Sequence, residues 1–234
     1  LALPNINKSE RDKIINNMWV NYGKIFSEYM FIKKFRSNAE FSKKIIVENQ
    51  EELEKIKSQK KPVIFISGHF NNFELMAMHL EKSDIDLAAV YRPLNNKFLN
   101  PIMERIRKKY ICKKQIKKGI SGTKELLKEF KKGTSIALMI DQRVSEGIKS
   151  NLFGKEALTT TIPAQFIKKF DASVVPMHIE RLVDDTFKLK IQGSIKFSND
   201  ETVNEITQKL NKILEKMIMT NPDQWIWTHN RWKI

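Results

Sequence analysis

VIFISGHFNNFELMAMHL, residues 63–80, decides how the rest of the chain is read. Val63, Ile64, Phe65 and Ile66 follow Pro62 as a continuous apolar run, without the alternation of a half-exposed strand. Such a run reads as a strand buried on both faces, as in a parallel sheet. From Phe73 the pattern becomes that of a helix, FELMAMHLEK. His69 and Glu74 therefore stand at a strand-to-helix junction, five positions apart. On one continuous helix that spacing would leave them about 140° apart. At the junction both side chains can converge over the carboxyl end of the sheet, where open α/β folds bind ligands. A histidine held by a carboxylate serves as a general base, because the carboxylate fixes the tautomer and supports the imidazolium that forms. Taken alone, the spacing is a weak signal that better fits a satisfied core histidine and an acid favoured by a helix N-terminus; the strand-to-helix context brings the catalytic reading level with it.

Outward from this stretch, strands and helices alternate. Residues 1–35 read as a helical segment: Ser9 is the expected cap, Asp12 the partner in a capping box, and an apolar stripe runs from Ile14 to Phe31. KKIIVEN is a short strand and QEELEKIKSQ a polar helix. DLAAVYRP is a strand stopped by Pro93, and NKFLNPIMERIRKKY is a helix. SGTKELLKEFKKG is a helix capped by Ser121 or Thr123 and closed by Gly133, and TSIALMIDQR is another buried strand. TIPAQFIKKFD is a helix with Thr161 near its cap and Pro163 in its first turn. ASVVPMHIERL and TFKLKIQGSIKF are strands, and ETVNEITQKLNKILEKMIMTNP is an amphipathic helix before the tail DQWIWTHNRWKI. The expected fold is α/β: a mixed, largely parallel sheet with helices on both faces, in a single domain over 1–234 with the first helical segment as an appendage.

The 234 residues and 41% hydrophobic content suffice for a real core. The net charge of +15 favours an anionic partner: phospholipid head groups, nucleic acid or an acidic carrier. No helix-turn-helix, RNP, KH or zinc-finger pattern supports nucleic acid. Cys112 is the sole cysteine, so no intrachain disulfide forms, and no Cys/His cluster suggests a metal site. The chain begins at Leu1 rather than Met, and a membrane anchor is expected upstream of it.

Further candidates close the other strands. Arg92 ends VYRP; Asp141, Gln142 and Arg143 end ALMIDQR, as site residues or as a loop start and helix cap. Arg105, Arg107, Lys108, Lys109, Lys113, Lys114, Lys117 and Lys118 form a basic run offset only by Glu104, either a solvated face or an anion-docking surface. The backbone from Asn71 to Phe73, including Asn72, opens the helix and offers N–H groups to an anion. His79 and His178 read as structural. Trp225 and Trp227 read either as membrane-interface aromatics or as packing for the terminus, and His229 and Arg231 as minor site candidates.

These residues together resemble a known family. SGHFNNFE is similar to the Gly-His-Phe-Gly-Asn-Trp-Glu signature of the bacterial lipid A late acyltransferases, the lauroyl and myristoyl transferases, within the wider H-x4-D/E glycerolipid-type acyltransferases. VYRPLNNKFLNPIMERIR, GTSIALMIDQR, LFGKEALTTTIPAQF and the ending NKILEKMIMTNPDQWIWTHNRWK resemble that family's further blocks, in order, over nearly the whole chain. Asn71 and Phe73 depart from its commoner Gly and Trp, which leaves the His69/Glu74 pair intact but puts acyl-chain specificity in doubt. The resemblance implies acyl transfer from acyl carrier protein to a hydroxyl of a lipid A precursor or another glycolipid, without a metal or other cofactor. It implies His69 as base and Glu74 as its orienting acid. It groups Arg92, Arg105, Arg107, Asp141, Gln142 and Asn72 as residues that bind substrate or brace the site. It also implies work on an anionic membrane surface, at the cytoplasmic face of the inner membrane.

Overall fold

The computed structural model describes residues 2–233. Its helices are α1 (Lys8–Tyr29), α2 (Ile32–Ser37), α3 (Ala39–Lys43), α4 (Glu51–Gln59), α5 (Glu74–Lys82), α6 (Leu99–Ile106), α7 (Ile120–Lys131), α8 (Ile162–Phe170) and α9 (Val203–Thr220). Its strands are β1 (Ile45–Glu48), β2 (Ile64–Ser67), β3 (Leu87–Tyr91), β4 (Lys114–Lys117), β5 (Ser135–Met139), β6 (Ile148–Leu152), β7 (Lys155–Thr159), β8 (Val174–Arg181) and β9 (Phe187–Ile191). A π-helical turn, Arg107–Ile111, continues α6.

Seven strands form one sheet in the order β1-β9-β8-β2-β5-β3-β4, and β6 and β7 form a separate hairpin. Only the β8–β9 pair in the large sheet is antiparallel. The mixed, mostly parallel α/β sheet expected from the sequence is thus present. The apolar run around Ile64 is fully buried, as a strand in the centre of such a sheet must be. Because parallel crossovers are right-handed, the outward steps from β2 to β3 and on to β4 put α5 and α6 on one face. The return steps from β4 to β5 and β8 put α7 and α8 on the other. Phe130 of α7 and Phe166 and Phe170 of α8 pack together there, with centroids 5.2–5.7 Å apart.

Local details correct several expectations. The first helical segment is two helices, α1 and α2, and the cap is Asn7 with Glu10, a full capping box, rather than Ser9 with Asp12. The chain turns at Met30 and Phe31 because α2 must fold its Ile32 and Phe35 into the core. α7 starts at Ile120 from Gly119, whose φ of +133° is a conformation that favours glycine, so neither Ser121 nor Thr123 is its cap. β4 and the β6–β7 hairpin had no clear sequence signal: their lysine-rich or short polar stretches take strand form from their neighbours. No helix among the described residues is long and apolar enough to cross a membrane.

Since β2, β3, β4 and β5 run parallel, His69, Arg92, Lys118 and Asp141 emerge at the same sheet edge.

Candidate active site

A cleft of about 320 Å³ opens at that edge. His69, Glu74, Arg92, Arg107, Gln142 and His229 line its polar side. Ala77, Ala89, Ala137 and Ile111 line an apolar side between α5 and the sheet.

The imidazole of His69 is held by Asp141. Nδ1 lies 2.7 Å from one carboxylate oxygen, and the backbone N–H of His69 donates to the other at 2.7 Å. Trp225 Nε1 donates to that second oxygen at 2.8 Å. Asp141 is only 3% exposed, so its charge is stabilised almost wholly by these donors. With Nδ1 engaged, Nε2 is the nitrogen left for chemistry. Burial opposes protonation of His69, but the Asp141 carboxylate outweighs it and raises the pKa above the ordinary imidazole value. Burial likewise raises the Asp141 carboxyl pKa, and His69 more than reverses that, for a net depression. Phe73 packs edge-on against the imidazole, with centroids 4.7 Å apart.

Glu74 has a different partner from the one expected. One of its carboxylate oxygens accepts from Arg107, at 2.7 Å from Nη2 and 2.8 Å from Nε. The same oxygen accepts the Tyr29 hydroxyl, which itself accepts from Arg107 at 3.3 Å. Burial, and then the charge of Glu74, push the Tyr29 phenol far above its usual range. Glu74 still acts on His69 through space, raising its pKa less than Asp141 does. The orienting carboxylate of His69 is therefore Asp141. The reason is geometric: Glu74 begins α5, and its side chain turns toward the π-helical turn that packs on α5, whereas Asp141 lies two residues past the end of β5, the strand adjacent to β2.

The turn between His69 and Glu74 is clamped from both ends of the chain. Asn71 has φ +42°, a left-handed conformation that asparagine tolerates better than most residues. Its N–H donates to the Gln224 carbonyl at 3.0 Å, and the Ile226 N–H donates back to the His69 carbonyl at 3.2 Å. Asn72 Nδ2 donates to Glu28 at 2.9 Å, and Glu28 also accepts from Arg181 at 2.5 Å. α1, expected as an appendage, thus supplies Glu28 and Tyr29 to the site. The N–H groups of Asn72 and Phe73 have no acceptor among the described residues.

Of the candidates, Arg92, Arg107 and Gln142 reach the cleft beside His69 and Glu74, and Asp141 stands behind His69. Asn72 is buried and braces the turn from below through Glu28. Arg105 does not line the cleft; it faces solvent with Lys108 and Lys109 on the outer side of α6. Arg143 donates to the Lys233 carbonyl at 2.6 Å and holds the C-terminal tail. Trp225 is buried and Trp227 packs on it at 4.5 Å, so these aromatics belong to the core and the site rather than to a membrane interface. Arg231 is fully buried and donates to the Leu158 carbonyl and to Thr159, both at 2.7 Å. His79 and His178 are structural as expected, each with its pKa lowered to about 4 by burial. Tyr29, Glu28 and Trp225 carried no isolated sequence signal as site residues. Each acts through a contact with a residue far away in the chain.

A family model described as bacterial lipid A biosynthesis acyltransferase matches residues 1–234. The chain is 26% identical over 241 residues to the lipid A biosynthesis palmitoleoyltransferase of Escherichia coli, covering 100% of this chain and 76% of that protein. It is 24% identical over 246 residues to the lipid A biosynthesis lauroyltransferase of the same organism, again covering 100% and 76%. Among solved structures, a 1-acyl-sn-glycerophosphate acyltransferase of Thermotoga maritima aligns over 91% of each chain, with a TM-score of 0.49 and 17% identity. The matched family, over the full length and with the motif blocks in order, makes this chain a member of the bacterial lipid A biosynthesis acyltransferases.

Proposed function

We propose that the protein transfers a fatty acyl chain from the thioester of acyl carrier protein to a hydroxyl of a lipid A precursor, with His69 as general base and Asp141 as the carboxylate that orients it. The observation that carries this reading is the buried Nδ1–Asp141 hydrogen bond, which leaves Nε2 as the proton acceptor in a cleft with an apolar side.

Nε2 of His69 takes the proton of the acceptor hydroxyl as its oxygen attacks the thioester carbonyl. The new C–O bond forms and the carbonyl electrons move to oxygen. The unpartnered N–H of Phe73, which lines the cleft at the start of α5, is the donor at hand for that oxyanion. The oxyanion collapses, the C–S bond breaks, and the leaving thiolate recovers the proton from the imidazolium. Asp141 stabilises that imidazolium throughout. Arg92, Arg107 and Lys118 carry the cationic charge on the cleft wall and suit a phosphorylated substrate. Glu74 keeps Arg107 in place. Cys112 is buried, with its thiol pKa raised to about 12, and is no nucleophile.

A lipid acceptor also suits the rim. Phe98, Leu99 and Ile102 are 88%, 51% and 56% exposed immediately beyond β3, beside the exposed Lys97, Arg105, Lys108 and Lys109. Apolar side chains among basic ones are what an anionic bilayer surface accepts.

The test is transfer from a panel of acyl-loaded carrier proteins to a lipid A precursor in detergent, with lysophospholipid and other glycolipid acceptors in parallel. Transfer to the lipid A precursor alone supports the reading. Transfer only to a lysophospholipid would replace the acceptor, and equal rates in His69→Ala would remove the proposed base.

A further inference from the structure

On the face opposite α5, a groove of about 340 Å³ runs between α7 and α8. α7 contributes Ile120, Thr123, Lys124 and Leu127, one stripe at helical spacing, and α8 contributes Gln165, Phe166 and Lys169. Phe166 is buried, while Ile120 stands 82% exposed. An apolar strip with an isoleucine left in water is an unpartnered surface.

Its rim is basic. Lys124 and Lys169 border it, and neither makes an ion pair among the described residues. Lys128 and Lys168 lie exposed on the same helices. The acids of this region are Glu125, Glu129 and Asp171; Glu129 is occupied by Lys114 and Lys132, and Asp171 by Lys196. Glu125, one position from Lys124, leaves the balance positive. A basic rim around an apolar strip between two helices fits an acidic amphipathic helix, with acids toward the lysines and an apolar side chain over Ile120.

The groove begins near the cleft. Both helices begin at the carboxyl edge of the sheet. Lys118, two residues before Ile120, and Ile162, one turn before Gln165 and Phe166, line the cleft. We infer that the α7–α8 groove docks an acidic helix of the acyl carrier protein, seating the carrier so that its thioester-bearing arm enters the cleft past Lys118 and Ile162. This rests on the donor assigned above and names the surface that receives it.

The experiment compares the parent, Lys124→Glu/Lys169→Glu and Ile120→Glu. A charge-matched control, Lys8→Glu/Lys13→Glu, alters two exposed lysines of α1 that make no ion pair among the described residues. Two readouts are taken: Kd for holo-acyl carrier protein by fluorescence anisotropy at low and high salt, and transfer rates from acyl-carrier protein and from the same acyl chain on pantetheine. The double reversal is expected to weaken carrier binding tenfold or more at low salt, with the difference shrinking at high salt. The control should bind like the parent. Turnover of the pantetheine thioester should stay within about twofold of the parent, since the cleft is untouched. Carrier binding unchanged by both groove variants overturns the docking site, as does equal loss for both donors. A parent that neither binds the carrier nor uses it, while accepting the pantetheine thioester, overturns the donor assignment instead.

Discussion

Two buried carboxylates serve the cleft, Glu74 on its wall and Asp141 behind His69, and their surroundings differ. Asp141 faces an imidazole, an indole N–H and a backbone N–H; Glu74 faces a guanidinium and a phenol. Asp141 sits against a group whose charge changes near neutral pH, so its field alters a proton affinity. Glu74 sits against a cation that never titrates in the working range, so its main effect is positional. It anchors Arg107 on the cleft wall and ties α5 to α1 through Tyr29. A motif with one histidine and one acid therefore conceals two functions, with the acid that orients the histidine coming from elsewhere in the chain.

The contrast is sharpest in substitutions. His69→Ala removes the base and should lower kcat by roughly 10²–10⁴. Residual activity above that range would mean that water or another group serves as base.

Asp141→Asn should follow, lowering kcat about 10²-fold or more by losing support for the imidazolium. It should also move the pH profile. The base works when neutral, so activity rises as pH climbs through the His69 pKa. Asp141 raises that pKa, and its loss should shift the acidic limb to lower pH. A limb that stays in place would detach Asp141 from the titrating group.

Glu74→Gln should lower kcat up to about 10²-fold through a misplaced Arg107 while leaving the limb nearly unmoved. It should also cost about 3 kcal/mol of stability, because Arg107 then lacks its anion in a largely buried place. A large shift of the limb in this variant, with none in Asp141→Asn, would reverse the two assignments.

Tyr29→Phe should have the smallest effect. It deletes one hydrogen bond to a buried carboxylate, about 2 kcal/mol, and keeps the ring. A Tm fall of a few degrees with a modest loss of kcat and an unchanged pH profile is expected from thermal melts and kinetics. No change in either quantity would return α1 to the status of an appendage.

Much of this was legible in local pattern. The continuous apolar runs at Ile64–Ile66 and Ile136–Met139 announced central parallel strands, because burial on both faces removes alternation. Once those strands are parallel, His69, Arg92 and Asp141 must open on one edge, so the position of the site followed from strand polarity alone. The left-handed turn at Asn71 and the helix start at Glu74 were likewise local matters.

Strand order is different in kind. That β5 lies beside β2, and therefore that Asp141 rather than Glu74 meets His69 Nδ1, is a pairing across 72 positions that no local pattern encodes. The same holds for Trp225 beneath Asp141 and for Glu28 and Tyr29 beneath the turn, each set by packing of distant segments into one core. Local pattern was enough to place the strands, the histidine and the edge where they meet, because propensity and burial act on neighbouring residues. The partners of each charge came from long-range packing, because a buried carboxylate is satisfied by whichever donors the completed sheet brings within about 3 Å.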